Sequence, residues 1–350
     1  METYTGQVEI KKCTEQKYLG FIISSSGDNM ANIRTLRNKS IGTIKKIFTK
    51  LNSLHLRKYY FECGVMFLNI MLRSSILYAC ETYYNLKEHE VRQIERIEEN
   101  FMRKLLQTKK GCPINQMYLE LGHFHARFDI YKLKLLFLKD ILNQDEESMI
   151  YKCFMLQVEN PVKGDWASSC IKNLKDLDIN LSLEEIKVMS HYKYTQLVRA
   201  KCREGATKYL MKKRGSKGGE IKYPCLEMAK YLQPNDVFTI DDKRKLFEIR
   251  NRMYPIPSNF CAKEENRYKC VCGQTEDMKH VYNCKYLNRD EPAIDYEKVF
   301  SDDIFEQKTI LTRFEHNFEE RGKYLLKENS HHEIPLKDPL SSVLLEYGNG

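Results

Sequence analysis

The sequence predicts a mainly α fold with a short N-terminal β hairpin, a multi-helix body, a small cysteine-rich module and a loosely ordered C-terminal tail. Three observations support this prediction. Apolar residues recur at three- and four-residue steps over most of the chain, which is the helical period. Strand-like alternation is confined to the first 24 residues. Three cysteines and one histidine fall within residues 270–284, where apolar residues are few.

The N-terminal residues 7–24 are predicted to be extended. Gln7–Lys11 alternates between polar and apolar side chains, and Lys17–Ile23 is rich in aromatic and β-branched residues. Ser24–Asp28 combines serine, glycine and aspartate, which indicates a turn. We therefore assign residues 1–30 to a β segment that precedes the helices.

Residues 31–110 are predicted to form a helical bundle of three helices, over residues 32–51, 56–79 and 88–107. The first helix has one apolar face, while the second is almost wholly apolar and is expected to be buried. Basic side chains of the first helix occupy its other face, and Lys45 and Lys46 among them are candidates for nucleic-acid contact. The apolar stripes themselves are expected to be hydrophobic core.

Residues 111–256 are predicted to be a second helical region, with a helical pair over residues 114–145 and a helix that Ser182 caps. Its segment 201–222 is strongly basic, opposed only by Glu204 and Glu220. Phosphate contact is one interpretation, and a solvated loop between helices is the other. The candidate phosphate contacts in this segment are Lys201, Arg203, Lys208, Lys212, Lys213, Arg214 and Lys217.

Two acidic pairs superficially resemble the aspartates that hold magnesium in polymerases. Asp241-Asp242 is followed at once by Lys243-Arg244-Lys245 and by helical apolar residues. An aspartate at the start of a helix accepts hydrogen bonds from the unpaired amides and favours the helix dipole. We therefore expect Asp241-Asp242, and likewise Asp302-Asp303, to cap helices rather than to bind metal.

The cysteine-rich stretch follows the pattern C-x-C-x7-H-x3-C through Cys270, Cys272, His280 and Cys284. Zinc in proteins is held tetrahedrally by four such ligands, and short loops let one segment supply them all. The single residue between the first two cysteines is shorter than the usual spacing, and Cys261 is the nearest substitute thiol. Stray thiols are the competing interpretation, because the chain contains 12 cysteines.

Charge is distributed unevenly along the chain. Residues 290–350 carry a net charge of −7, so residues 1–289 carry +16 of the total of +9. A basic body favours a polyanionic partner, nucleic acid first, although a solvated basic surface explains the same composition. The sequence shows neither a signal peptide nor an apolar run long enough for a membrane span, and its scattered cysteines indicate a reducing, intracellular compartment. No small-molecule substrate is evident.

Several segments occur in an order that resembles a known family. Lys17–Ile23 contains KYLG, Ile76–Thr82 reads ILYACET, and Arg103–Leu106 precedes the cysteine-rich stretch. This order is similar to the C-terminal half of the reverse transcriptases of non-LTR (LINE-like, jockey-like) retrotransposons, over roughly residues 7–290. There, a KYLG-type strand follows the polymerase palm, an ILYGxE-type segment lies in the thumb, and a zinc knuckle closes the protein.

The resemblance implies a role for each region. Residues 1–30 would follow the palm, 31–110 would be a thumb lying against template–primer, 111–256 a helical connection, 257–290 a CCHC-type zinc knuckle and 291–350 an acidic helical tail. It also implies RNA or DNA as partner, zinc as cofactor, and nuclear residence. The family's catalytic aspartates lie upstream of the KYLG strand, so the chain is expected to be inactive as a polymerase by itself, and Ala79 stands where the family usually has glycine.

Three functional hypotheses follow. The chain is a catalytically incomplete reverse transcriptase fragment, a free-standing zinc-containing nucleic-acid-binding protein reused by its host, or a helical interaction scaffold in which zinc only stabilises the C-terminal part. The first two predict nucleic-acid binding that weakens with salt. The third predicts none.

Overall fold

The computed structural model describes residues 13–25, 27–55, 57–84, 86–108, 111–212, 226–253, 270, 272–275, 277–287 and 292–329, with the backbone alone at 322 and 324–329. The chain divides into two compact units, unit 1 (Met1–Phe247) and unit 2 (Glu248–Gly350). The fold is mainly α-helical with an N-terminal antiparallel hairpin, as predicted. None of the described helices is long and apolar enough to cross a lipid bilayer. The predicted boundaries near residues 30, 110, 256 and 290 stay predictions.

The hairpin pairs β1 (Glu15–Tyr18) with β2 (Phe21–Ser24), and its register places Tyr18 opposite Phe21. Leu19 and Gly20 therefore form a two-residue turn, with φ of 45° and 89°. Positive φ at both central positions is the requirement of a type I′ hairpin turn. This turn divides the extended region predicted over residues 7–24 into the two strands of the predicted hairpin, and residues 7–12 of that region lie outside the described residues.

Unit 1 is built from helices joined by short connections. The helices begin with α1 Met30–Ser53, α2 Tyr60–Phe67, a π-helical segment Leu68–Arg73, α3 Ser74–Ile76, a 3₁₀ turn Cys80–Thr82 and α4 Glu88–Leu106. They continue with α5 Ile114–Glu120, α6 Ala126–Leu142, α7 Met149–Glu159, α8 Trp166–Asp176, α9 Leu183–Val188, α10 His191–Lys212 and α11 Ile240–Arg250, which contains the boundary with unit 2. The predicted helix over 56–79 is thus interrupted by a π-helical segment.

The acidic pairs lie at helix starts, as predicted. At α11, the backbone N–H of Asp242 donates to Thr239 Oγ1 at 3.1 Å, and Asp242 Oδ2 accepts from the Thr239 N–H at 3.0 Å. In unit 2, Asp303 Oδ1 accepts from the Phe305 N–H at 2.8 Å, just before a helix that begins at Ile304. These reciprocal bonds satisfy amides that the helix leaves unpaired.

The core of unit 1 is centred on α6. Leu135 and Leu138 are fully buried there, in a cluster to which α7, α8, α9 and α10 also contribute. Trp166, the only tryptophan of the chain, packs edge-on against Phe137 and Phe154. Its indole N–H donates to the carbonyl of Glu81 at 2.8 Å, which ties α8 to the 3₁₀ turn.

A buried ion network crosses the same unit. Arg73 binds Glu98 at 2.5 Å and Asp129 at 2.6 Å, and all three side chains are less than a tenth exposed. Arg127 binds Glu95 at 2.6 Å in a second buried pair. Burial alone would raise the pKa of Glu95, but the neighbouring His125 imidazole and the hydrogen bonds from Arg127 outweigh it and lower that pKa to about 2. Arg127 thus favours the ionised form of the buried Glu95, whereas burial raises the pKa of Glu98.

We expect Gly122→Ala to destabilise unit 1. Gly122 has a φ of 65°, and a Cβ there would lie under 3.0 Å from backbone atoms of Glu227 and Met228. The strained backbone alone costs about 1–3 kcal/mol, and the overlap adds to it. Gly42→Ala is the control, because Gly42 lies within α1 with nothing within 4 Å of an added Cβ. This variant is expected to raise the free energy of unfolding of unit 1 by about 0.5–1 kcal/mol. Urea denaturation measures both, and equal effects would contradict the prediction.

Candidate metal centre

The candidate metal centre lies in unit 2 on a short helix that other elements support. This helix, α12 (Met278–Asn283), has only six residues, too few to be stable alone. Its Tyr282 is fully buried, with ring centroids 5.5 Å from Tyr296 and 5.0 Å from Phe314. Those rings belong to a 3₁₀ helix (Tyr296–Phe300) and to α13 (Ile304–Asn329). The acidic C-terminal segment thus packs against the cysteine-rich module.

Polar contacts of two asparagines, one on α13 and one on α12 itself, fix the position of α12. The side-chain amide of Asn317 donates to the carbonyl of Val281 at 2.9 Å. Asn283 pairs with the backbone of Ile294 through both its amide nitrogen and its oxygen, at 2.9 and 2.8 Å. The end of α12 that precedes Cys284 is therefore held from two sides.

A tight turn presents the first two cysteines. The Gly273 N–H donates to the carbonyl of Cys270 at 2.7 Å, and the Cys270 N–H donates to the carbonyl of Gln274 at 2.8 Å. Gly273 has a φ of 82°, which residues with a Cβ rarely adopt. The chain reverses here, so that Cys270 and Cys272 serve one site although a single residue separates them.

The other two candidate ligands come from α12 and from the residue that follows it. Asp277 caps the helix, and its Oδ1 accepts from the His280 N–H at 2.7 Å. His280 and Cys284 are four residues apart, a spacing that places two side chains on the same face of a helix. The cap therefore fixes the backbone of His280, from which the imidazole extends toward the cysteines.

The structure brings all four predicted ligands together. Their donor atoms lie within 4.8 Å of one another. Cys270 Sγ is 3.5 Å from Cys284 Sγ, and Cys272 Sγ is 3.2 Å from His280 Nε2. Sulfurs at about 2.3 Å from a tetrahedral ion are roughly 3.8 Å apart, so these separations suit one ion at the centre. The cluster can hold a metal ion without Cys261, which lies outside the described residues.

Burial shapes the chemistry of these ligands. Cys270 and Cys284 are buried, while Cys272 is exposed. Burial raises the pKa of Cys270 to about 12, and the neighbouring Cys284 thiol adds to the shift. Burial also lowers the pKa of His280, which favours the neutral imidazole that ligates metals. A buried thiol of this kind gains most from a cation that stabilises its thiolate.

The predicted phosphate contacts of the basic segment lie in different environments, and some of them pair with carboxylates. Lys201 and Lys208 both pair with Glu204, at 3.1 and 2.8 Å, and Lys208 also pairs with Asp178. Arg203 and Lys212 are exposed on α10. Lys213, Arg214 and Lys217 lie outside the described residues. Part of the charge that the sequence assigns to this segment is therefore neutralised locally.

Helix α1 is the more strongly cationic surface. Lys45 and Lys46 are exposed on it, and the helix contains no aspartate or glutamate. Its basic residues are Arg34, Arg37, Lys39, Lys45, Lys46 and Lys50. Among them only Arg34 forms an ion pair with a described residue, at 3.9 Å from Glu15.

Comparison with known proteins gives no assignment. No protein family, no curated protein and no solved structure matches this chain. The four converging donor atoms and the cationic helix α1 are therefore the features from which a function is inferred.

Proposed function

We propose that Cys270, Cys272, His280 and Cys284 hold one Zn²⁺ ion in a structural site. Three thiolates and one imidazole form a donor set that zinc prefers and that magnesium and calcium do not. The chain supplies all four positions of a tetrahedron, which leaves none open for a substrate or a reactive water. The convergence of the four donors within 4.8 Å is the observation on which this proposal rests.

The second part of the proposal is that the chain binds RNA or DNA. It is supported by α1, where six basic side chains over 24 residues face no carboxylate of the same helix. Such a surface attracts phosphates and releases their counterions, whatever the base sequence. The proposed function is thus that of a zinc-containing, nucleic-acid-binding protein, with nuclear residence as its implied location.

The non-LTR reverse transcriptase remains the family that we propose for this chain. Its two motif segments contact each other, because the Tyr78 hydroxyl donates to the carbonyl of Leu19 at 2.8 Å. Ala79, at the position where the family has glycine, has a φ of 57°. Glycine adopts this left-handed conformation at least cost, so the position has the backbone that the family's residue would favour.

Metal content and binding can be measured on the same preparation. We expect elemental analysis to find one zinc per chain. We also expect fluorescence anisotropy at about 50 mM salt to show binding to a structured RNA or a DNA that weakens as salt increases. A protein that folds without bound metal would overturn the zinc site. Zinc without any nucleic-acid binding would leave a helical interaction scaffold as the function.

A further inference from the structure

A groove in unit 1 has no role in the metal centre and was not recognised from the sequence. It is lined by α1, the first residue of α2, α4 with the two residues after it, and the first half of α11, and its volume is about 780 Å³. Lys45 reaches it from α1, Arg103 and Lys104 from α4, and Arg244 from α11. None of the described residues that line it is acidic. Four cations thus share one concave surface without a carboxylate among them.

Two of these cations are available to a ligand. Lys45 and Lys104 are exposed, and neither forms an ion pair with a described residue. Lys104 Nζ lies over the ring of Phe48, 5.0 Å from its centroid, which orients the ammonium group without neutralising it. An anion that entered the groove would meet charges that are already positioned.

Arg244 is only partly compensated by its surroundings. Its guanidinium makes long contacts, 3.4 Å to the Tyr60 hydroxyl and 3.3 Å to the carbonyl of Leu105, and Asp241 is 3.8 Å away and largely exposed. Its Nε is buried without a hydrogen-bond partner. Burial accordingly lowers the pKa of Arg244, since the charged form lacks a close counter-charge. A bound anion would supply that counter-charge.

The groove offers donors for phosphate but no free aromatic face for bases. The rings of Phe48 and Tyr60 are less than a tenth exposed, and each is covered by a cation, Lys104 and Arg244 respectively. Stacking of a base requires an accessible ring, so these two cannot serve as a platform. The remaining polar lining consists of neutral side chains that can donate hydrogen bonds to phosphate oxygens, namely Thr49, Asn52, Asn100, Gln107 and Thr108.

We propose that this groove binds the phosphodiester backbone of a single nucleic-acid strand, independently of base sequence. The inference deepens the proposed function, because it names the surface and the chemical group that the surface recognises. The volume lies within the range of roughly 300–1,000 Å³ that is typical of small-ligand sites. It therefore admits a short stretch of one strand, whereas a duplex would contact only the rim.

The charge dependence of binding tests the groove. In the full chain, Lys45→Gln with Lys104→Gln removes two phosphate contacts. Since each contact contributes about 0.7 to the slope of log K against log salt for single strands, we expect the slope to decrease by about 1.4. At 50 mM salt this corresponds to binding of a 20-nucleotide oligothymidylate that is about 10- to 100-fold weaker. The pair Lys45→Arg with Lys104→Arg keeps the charges and should restore binding.

The matched control removes the same number of charges from α8, away from both the groove and the proposed cationic surface of α1. Lys172→Gln with Lys175→Gln is expected to weaken binding less than about threefold, because neither of these exposed residues lines the groove. A strand of equal length without bases should bind within about threefold of the oligothymidylate. Equal losses of affinity in the two double variants, or tighter binding of a duplex than of the single strand, would refute the groove as the binding site. Either result would leave the proposed nucleic-acid binding itself intact. No binding by the unmodified chain would instead refute the proposed function itself.

Discussion

Replacement of Cys284 by serine is expected to release the metal ion and to unfold the described part of unit 2. Cys284 is fully buried and immediately follows α12, so it joins the metal centre to the helix. Structural zinc contributes about 10–16 kcal/mol to the folding of zinc-finger peptides. A domain is typically stable by only about 5–15 kcal/mol, so the folded unit is not expected to survive the loss.

Hydrogen exchange and elemental analysis check this prediction together. Amides of α12 and α13 should lose protection in the Cys284→Ser variant, and the zinc content should fall below one ion per chain. Cys153→Ser is the matched control, because Cys153 is an exposed thiol on α7 in unit 1. It should keep both the metal and the protection. A Cys284→Ser protein that loses zinc but retains its protected amides would show that the ion does not support the fold.

Arg73→Met is expected to destabilise unit 1 by about 3–5 kcal/mol. The substitution leaves the buried Glu98 without its cation, whereas Asp129 keeps its ion pair with Lys132, and an uncompensated buried charge costs that much. The Arg73 guanidinium also donates to the carbonyl of Phe124, which would lose this partner. Burial of the methionine side chain recovers only part of the difference.

Denaturation followed by tryptophan fluorescence measures the effect in unit 1, because Trp166 is the only tryptophan of the chain. Arg34→Met provides the control. Arg34 forms an exposed ion pair with Glu15 at 3.9 Å, and such pairs contribute about 0–1 kcal/mol. A loss below about 1 kcal/mol in Arg73→Met would contradict the prediction and would indicate that water reaches the two carboxylates.

The sequence was sufficient for features that depend on nearby residues. The four candidate metal ligands fall within 15 residues, and the turn at Gly273 brings Cys270 and Cys272 to one site, so ligand type and spacing predicted the cluster. The caps at Ser182 and Asp242 were predicted for the same reason, since each involves partners within three residues. Local chemistry determines these features with little influence from the rest of the fold.

Features that join distant residues were not predictable in this way. Helical periodicity assigned the apolar residues of α4 to the core, yet Glu95 and Glu98 of the same helix are fully buried. Arg92 pairs with Glu95 locally, but the buried arginines that bind Glu98 and Glu95, Arg73 and Arg127, lie 25 and 32 residues away. Nothing in the local pattern indicates these two distant pairs. Likewise, Arg244 reaches the groove about 140 residues after Arg103. Only the folded arrangement brings such residues together on one surface.

The π-helical segment Leu68–Arg73 has a consequence for comparison with other proteins. Each of its hydrogen bonds spans one residue more than in an α-helix, so the segment accommodates an extra residue along the same path. Because an α-helix turns by about 100° per residue, the side chains after the extra residue point about 100° away from where an uninterrupted helix of the same sequence would place them. A homologue with a plain helix here would be one residue shorter. Its sequence should therefore align with this chain only across a single-residue gap between Phe67 and Ser74.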